Sequence, residues 1–196
     1  MTRRELTAEE IEAFRRKVVD AARTLFVEHG VGGVTMRAIA VAIGCSPMRT
    51  YRYFDDREAV LEALRAEAFC GLADSQEEAA ASSRSVRRRL DAIRAAYLRF
   101  GLEHPDSYRL MFSLESMRPP GEAFQKQATR AFGTLRTTVA NAIEGGHLEG
   151  DADTVAHLIW VELHGVVSLH LSQKLNKGRS LEQIAAASPW RMARRK

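Results

Sequence analysis

Between Thr35 and Phe54 the chain carries three arginines, Arg37, Arg49 and Arg52, and no acid. Ser46, Thr50, Tyr51 and Tyr53 place hydroxyls among them. Guanidinium groups pair with phosphate oxygens and, through two parallel donors, with the major-groove edge of guanine, while hydroxyls donate to phosphate. The chemistry open to this stretch is recognition of a nucleic acid, provided that the side chains share one projecting surface. Local signals supply such a surface. Thr35 can cap a helix whose apolar positions Ile39, Ala40 and Ile43 fall on one face, and Gly44 stops it. Ser46 then stands as a second N-cap, with Pro47 at the first helical position, where its fixed φ fits and its missing N–H costs nothing. Two helices joined by so short a turn cross steeply, the geometry of a helix-turn-helix. A helical hairpin with a solvated basic face is the other reading of the same spacing.

Other chemistries find less support. Of the six histidines, His157 and His164 share a helical face. Seven residues nevertheless span roughly 10 Å at 1.5 Å per residue, too far to ligate one ion. No nucleophile elbow, metal-binding pair or glycine-rich phosphate loop is present, so neither an enzyme nor a metal or cofactor site is expected. Cys45 and Cys70 form no CxxC pair and fit two reduced thiols. The net charge of +4 equals the charge of Arg191, Arg194, Arg195 and Lys196 at the C-terminal end, so the case for a nucleic acid rests on the local arginine cluster.

The elements that position the arginines follow from helical periodicity, and no strand alternation appears anywhere. Arg3 and Arg4 lie on a short arm that precedes a Thr7/Glu10 capping box. The helix opened there carries Ile11, Phe14, Val18, Ala21, Ala22, Leu25 and Phe26 in one stripe and ends at Gly30. After Phe54, a capping box of Asp55 and Glu58 opens a long helix through Leu64 and Leu72 that connects the N-terminal unit to the rest of the chain. Polar Ser82 to Ser85 breaks it, and Arg87, Arg88 and Arg89 form a solvated basic start to the next helix. That helix runs to about His104. Pro105-Asp106 interrupts it before a short apolar helix, and Pro119-Pro120-Gly121 is a loop. Helices follow at Glu122–Glu144, Thr154–Leu175 and Ser180–Met192, the last interrupted by Pro189. The expected fold is all-α with about nine helices, divided into a DNA-binding domain at 1–56 and a regulatory, dimerising domain at 57–196. No stretch approaches 18 consecutive apolar residues and the first residues are charged, so a cytoplasmic protein without a membrane partner is expected.

The run TMRAIAVAIGCSPMRTYRYFDDREAVLEAL, behind a helix ending LFVEHGVGGV, resembles the DNA-binding domain of the TetR family of transcriptional regulators. The match falls on Ala40, Gly44, Ser46, Tyr51, Tyr53, Phe54 and Arg57. Thr50, Met48 and Tyr53 depart from the apolar residue, glycine and histidine common in the family. In the C-terminal half, Trp160 followed by His164-Gly165, together with AYLRFGLEHPDSYRLMF, is similar to the subgroup with a Trp/His-Gly (WHG-type) domain. The resemblance implies a regulator, a repressor of an operator released by a small, largely apolar effector. It places the helix Pro47–Tyr53 in the major groove with Met48 and Arg49 at base edges, and Arg37 at a base or phosphate. Thr35, Tyr51 and Tyr53 then contact phosphates, with Ser46, Pro47, Arg52 and Arg57 completing the interface.

One short reading helix contacts few bases, so a homodimer on a palindromic operator is expected, joined through Val155, Ile159, Val166, Leu169 and Leu171. An apolar effector pocket is expected among Tyr97, Phe100, Met111, Phe112, Trp160 and His164. These side chains are large, lie on separate helices and include polar tips. A sensing module without operator-specific DNA binding is the alternative.

Overall fold

The computed structural model describes residues 7–112 and 119–187, and among these the chain forms nine helices and no strand. In order they are α1 (Ala8–Gly33), α2 (Met36–Ala42), α3 (Pro47–Thr50), α4 (Arg57–Ala81), α5 (Val86–Glu103), α6 (Pro105–Met111), α7 (Glu122–Glu144), α8 (Ala152–Leu171) and α9 (Leu181–Ala186). The arm with Arg3 and Arg4, Pro189 and the basic end from Arg191 to Lys196 lie outside the described residues.

The chain divides into two compact units, the first made of 1–68 and 109–125, the second of 69–108 and 126–196. One boundary crosses α4 between Ala68 and Phe69, so this helix belongs to both units, and another crosses α6 after Tyr108, from which 109–125 returns to the first unit.

In the first unit, α1 opens with the expected capping box. The Thr7 hydroxyl accepts from Glu10 N and the Glu10 carboxylate accepts from Thr7 N. Gly30, at φ 68, breaks the helical path without ending the element, which runs one further turn to Gly33. Thr35 caps α2 by accepting from Ala38 N at 3.1 Å. Its inward stripe of Met36, Ile39 and Ala40 joins Val18, Val19 and Ala22 of α1, and Phe54, Val60, Leu61 and Leu64 beyond, in one apolar core. Ser46 occupies the N-cap of α3 without a side-chain cap bond, and Pro47 follows it. The cap of α4 differs from the sequence reading. The helix starts at Arg57, so Asp56 is the residue in register and its carboxylate accepts from Ala59 N, while Glu58 pairs with Arg57.

In the second unit, α8 packs against α5 and α9. Ile93, Ala96 and Tyr97 of α5, Leu135 and Val139 of α7, and Ala156, Leu163 and Val167 of α8 are buried. Arg94, buried on α5, donates to the Glu162 carboxylate at 2.9 Å and to the Ala185 carbonyl, tying three helices together. Arg130 on α7 pairs with Asp74 and Glu77 on α4. Two of the residues expected to form a dimer surface, Ile159 and Val166, face this core. The exposed apolar side chains of α8 are Leu158 at 64%, Val161 at 63%, and Leu169. Of the residues expected at that surface, Leu169 is exposed while Ile159 and Val166 are buried, because α8 is apolar on most of its circumference. That composition also makes α8 long and apolar enough to cross a membrane.

Gly44 ends α2 at φ 66, with nothing within 4 Å of an added Cβ. Only conformation then opposes a side chain there. Gly44→Ala is expected to lower unfolding free energy by about 1–2 kcal/mol, the cost of a left-handed non-glycine residue, read from urea denaturation.

Candidate nucleic-acid interface and effector site

The arginines and hydroxyls that opened the sequence reading now have surroundings. Arg37, Ser46, Pro47, Met48, Arg49, Tyr51 and Arg52 are exposed on α2, α3 and the turn after it. Met48 stands at 74% exposure. Exposure on that scale, for a residue in a unit with a formed apolar core, leaves an apolar surface available for the thymine methyl or a groove wall. Val41 on α2 is 75% exposed and belongs to the same surface. It was missed in the sequence, although its place off the Ile39, Ala40 and Ile43 stripe carries the signal.

The remaining members of the set are held from behind. The Thr35 hydroxyl is engaged as a cap, so a phosphate contact there would share it. Thr50 is fully buried and its hydroxyl donates to Pro47 O at 2.7 Å, which removes it from the groove-facing hydroxyls. Tyr53 stacks against Phe14 with centroids 4.3 Å apart, and its carbonyl accepts from Arg15. Arg15 also lies over the Phe54 ring at 4.1 Å, and Arg49 over the Phe14 ring at 4.6 Å. Phe14 is thus more than a core aromatic, because it steadies both the reading helix and the turn after it. Such cation–π contacts contribute on the order of 0.5–1 kcal/mol at exposed positions and limit the rotamers Arg49 samples.

Arg57, expected among the DNA contacts, directs its donors inward. Its Nε donates to Val34 O and Nη2 to Val31 O, both at 2.6 Å, and its Nη1 pairs with Glu58 at 3.2 Å. The physical reason lies in α1, which has no basic residue in its last turn to meet its terminal carbonyls.

In the second unit a chain of polar groups crosses apolar surroundings. The Tyr97 and Tyr108 hydroxyls lie 3.0 Å apart, the Tyr108 hydroxyl is 2.8 Å from His164 Nδ1, and Ser168 Oγ is 3.2 Å from His164 Nε2. Trp160 also hydrogen-bonds Tyr97. Burial pushes the Tyr97 phenol up to about 12, opposed by its bonds to Tyr108 and Trp160. Burial raises Tyr108 further, with Tyr97 adding to the effect. Burial lowers the His164 imidazole below its ordinary value. All three groups therefore stay neutral at pH 7, which suits a network that orients a ligand by hydrogen bonds.

Of the six expected pocket residues, Tyr97, Trp160 and His164 come together here. Phe100 is buried on α5 beside Gly71 and His104. Met111 and Phe112 fall in the segment that belongs to the first unit, since the division comes after Tyr108. Sequence reasoning chose them for size and passed over Tyr108 and Ser168. The four-residue spacing of His164 and Ser168 on one helix was the signal available for Ser168. Among the described residues no three His, Cys, Asp or Glu side chains are grouped to hold a metal ion.

Comparison with known proteins gives a match for each half of the chain. Residues 18–64 match the bacterial regulatory proteins, tetR family, and residues 90–188 match the tetracyclin repressor-like C-terminal domain. The HTH-type transcriptional regulator Rv1816 of Mycobacterium tuberculosis is 28% identical over 144 residues, 71% of this chain. The chain spans 60% of the length of that curated relative. A protein of unknown function from Rhodococcus sp. RHA1 is similar in structure at TM-score 0.80 and 25% identity, over 91% of this chain and 94% of the other. The regulator FadR of Bacillus subtilis, in complex with stearoyl-CoA, shares the fold at TM-score 0.70 and 15% identity, over 87% and 91%.

The depressed His164 value has a consequence for stability. Below its ordinary 6.5, the unfolded chain takes up a proton that the folded chain excludes, so stability rises with pH through that window. The contribution is complete above 6.5 and is lost as pH falls through the folded-state value. Urea midpoints between about pH 5 and 7 are expected to climb with pH, and His164→Phe is expected to flatten that part of the profile.

Proposed function

The chain belongs to the TetR family of bacterial regulatory proteins, and from that premise we propose that it is a cytoplasmic, non-enzymatic repressor. It holds a palindromic operator as a homodimer and releases it on binding a small, largely apolar effector. The observation that carries this reading is the exposed cluster of Arg37, Met48, Arg49, Tyr51 and Arg52 on a short helix pair braced by Phe14, Arg15 and the Thr35 cap. Phosphate contacts from Thr35, Ser46, Tyr51, Arg52 and Tyr53 fix the register, and Arg49, Met48 and Arg37 read base edges. Two heads related by a two-fold axis read half-sites about 34–36 Å apart or a multiple of that.

The exposed Leu158, Val161 and Leu169 of α8 supply the apolar face of the dimer. The neutral chain of Tyr97, Tyr108, His164 and Ser168 supplies polar contacts to the effector. His164 at the hub of that chain supports membership of the WHG-type subgroup. The Bacillus subtilis regulator FadR is in complex with stearoyl-CoA, a molecule with an apolar body of the kind proposed here. Because α4 runs through both units, it is the element whose displacement would pass effector binding to the heads.

A mobility shift with DNA from the protein's own promoter region tests operator binding, and a protein that shifts no fragment at moderate salt would instead be a sensing module. In the same assay Arg49→Ala is expected to lose about 1–3 kcal/mol of discrimination between bases, where loss of a phosphate contact weakens all sequences alike. Light scattering is expected to show a dimer for the wild type and a 21.9 kDa species for Val161→Glu.

A further inference from the structure

Val41 at 75% and Met48 at 74% are the two most exposed large apolar side chains among the described residues. A single apolar residue on a surface needs no explanation. These two, however, lie on α2 and α3, which pack against each other, in a stretch of three arginines and no acid.

Helix geometry accounts for their exposure. On α2 the buried stripe is Met36, Ile39 and Ala40, and Val41 lies off it, one turn after Arg37 on the same face. On α3 Met48 stands two residues before buried Thr50, roughly 200° around the helix. Arg49 leans back over the Phe14 ring at 4.6 Å, while Met48 remains open to solvent. Valine is among the weaker helix formers, so its place on the solvent side of α2 brings the folded protomer no advantage.

Charge decides what can cover this surface. From Thr35 to Phe54 every charged side chain is an arginine, which suits a polyanion and no acidic-poor partner. An apolar side chain among those arginines gains little from phosphate oxygens. The apolar group that DNA offers to a helix is the C5-methyl of thymine, which lies in the major groove and has no counterpart in the minor groove.

We propose that Val41 and Met48 read thymine C5-methyl groups of the operator, which makes Val41 a specificity-determining residue on α2 beside Arg37. The inference rests on the DNA-binding regulator proposed above and deepens it by naming the group on the base that is recognised. Arginine pairs best with guanine, and the methyl contact adds recognition of thymine.

The test is a mobility shift of the full chain on DNA of its own promoter region, amplified once with thymidine triphosphate and once with deoxyuridine triphosphate, in excess competitor DNA. The two fragments differ only in their C5-methyl groups. Burial of one such carbon contributes about fourfold in affinity, so the wild type is expected to bind the uracil fragment at least about fourfold more weakly. Val41→Ala and Met48→Ala are each expected to narrow that gap, and the double variant to bind both fragments alike. Met48→Leu, which keeps the apolar reach, should retain it. Because both side chains are exposed, the double variant is expected to melt with the wild type. The proposal is overturned if the wild type binds the two fragments equally, or if the double variant keeps the wild-type gap, which would place the effect in DNA shape. A double variant that melts well below wild type also overturns it, since the side chains would then serve the fold. A wild type that shifts neither fragment overturns the operator reading and this inference with it, whereas equal shifts overturn this inference alone.

Discussion

Two hydrogen bonds from the Arg57 guanidinium, to the carbonyls of Val31 and Val34, set the geometry on which the reading unit depends. The last carbonyls of a helix have no partner inside it and carry the negative end of its dipole. In α1 the nearest sequence offers them nothing basic, and an arginine from the first turn of α4 supplies both bonds. Thr35 caps α2 immediately after Val34. The exit of α1, the start of α2 and the start of α4 therefore meet at one residue. Arg15 fixes the other side, bonding the Tyr53 carbonyl and lying over Phe54. Between these two arginines a four-residue helix is held in place, although one so short has no stability of its own.

The second unit places polarity inside an apolar interior by a different route. Tyr97, Tyr108 and His164 partner one another, and burial keeps each in its neutral form. A satisfied neutral network is a modest burden on stability, whereas a half-satisfied one is costly.

Much of this was legible in the sequence where a local rule decides the outcome. Thr7 with Glu10, Thr35, Gly44 and Ser46-Pro47 announce helix boundaries through short-range hydrogen bonds and φ preferences, and the structure places them so. The miss at Asp55 was one residue, set by whether α4 begins before or at Arg57. Long-range partners were not legible. Arg57 matches a family position at a helix start beside a basic surface, and nothing local says that its donors turn towards carbonyls more than 20 residues earlier. Which of the apolar side chains of α8 turn inward, as Ile159 and Val166 do, and which outward, as Leu158 and Val161 do, was not legible because an apolar circumference gives no phase. Tyr108 and Met111 are both buried on α6, and nothing local says that the division between the units falls between them.

The central claim is that Arg57 positions the reading helix from behind and does not itself touch DNA. The dependence of operator affinity on salt, for wild type and Arg57→Gln, tests it directly. Each phosphate contact contributes about 0.9 to the slope of log affinity against log salt, whatever its share of the affinity. The account predicts a variant that binds more weakly at every salt concentration with the wild-type slope. A slope reduced by about one for each head would mean that Arg57 neutralises a phosphate, and would contradict it.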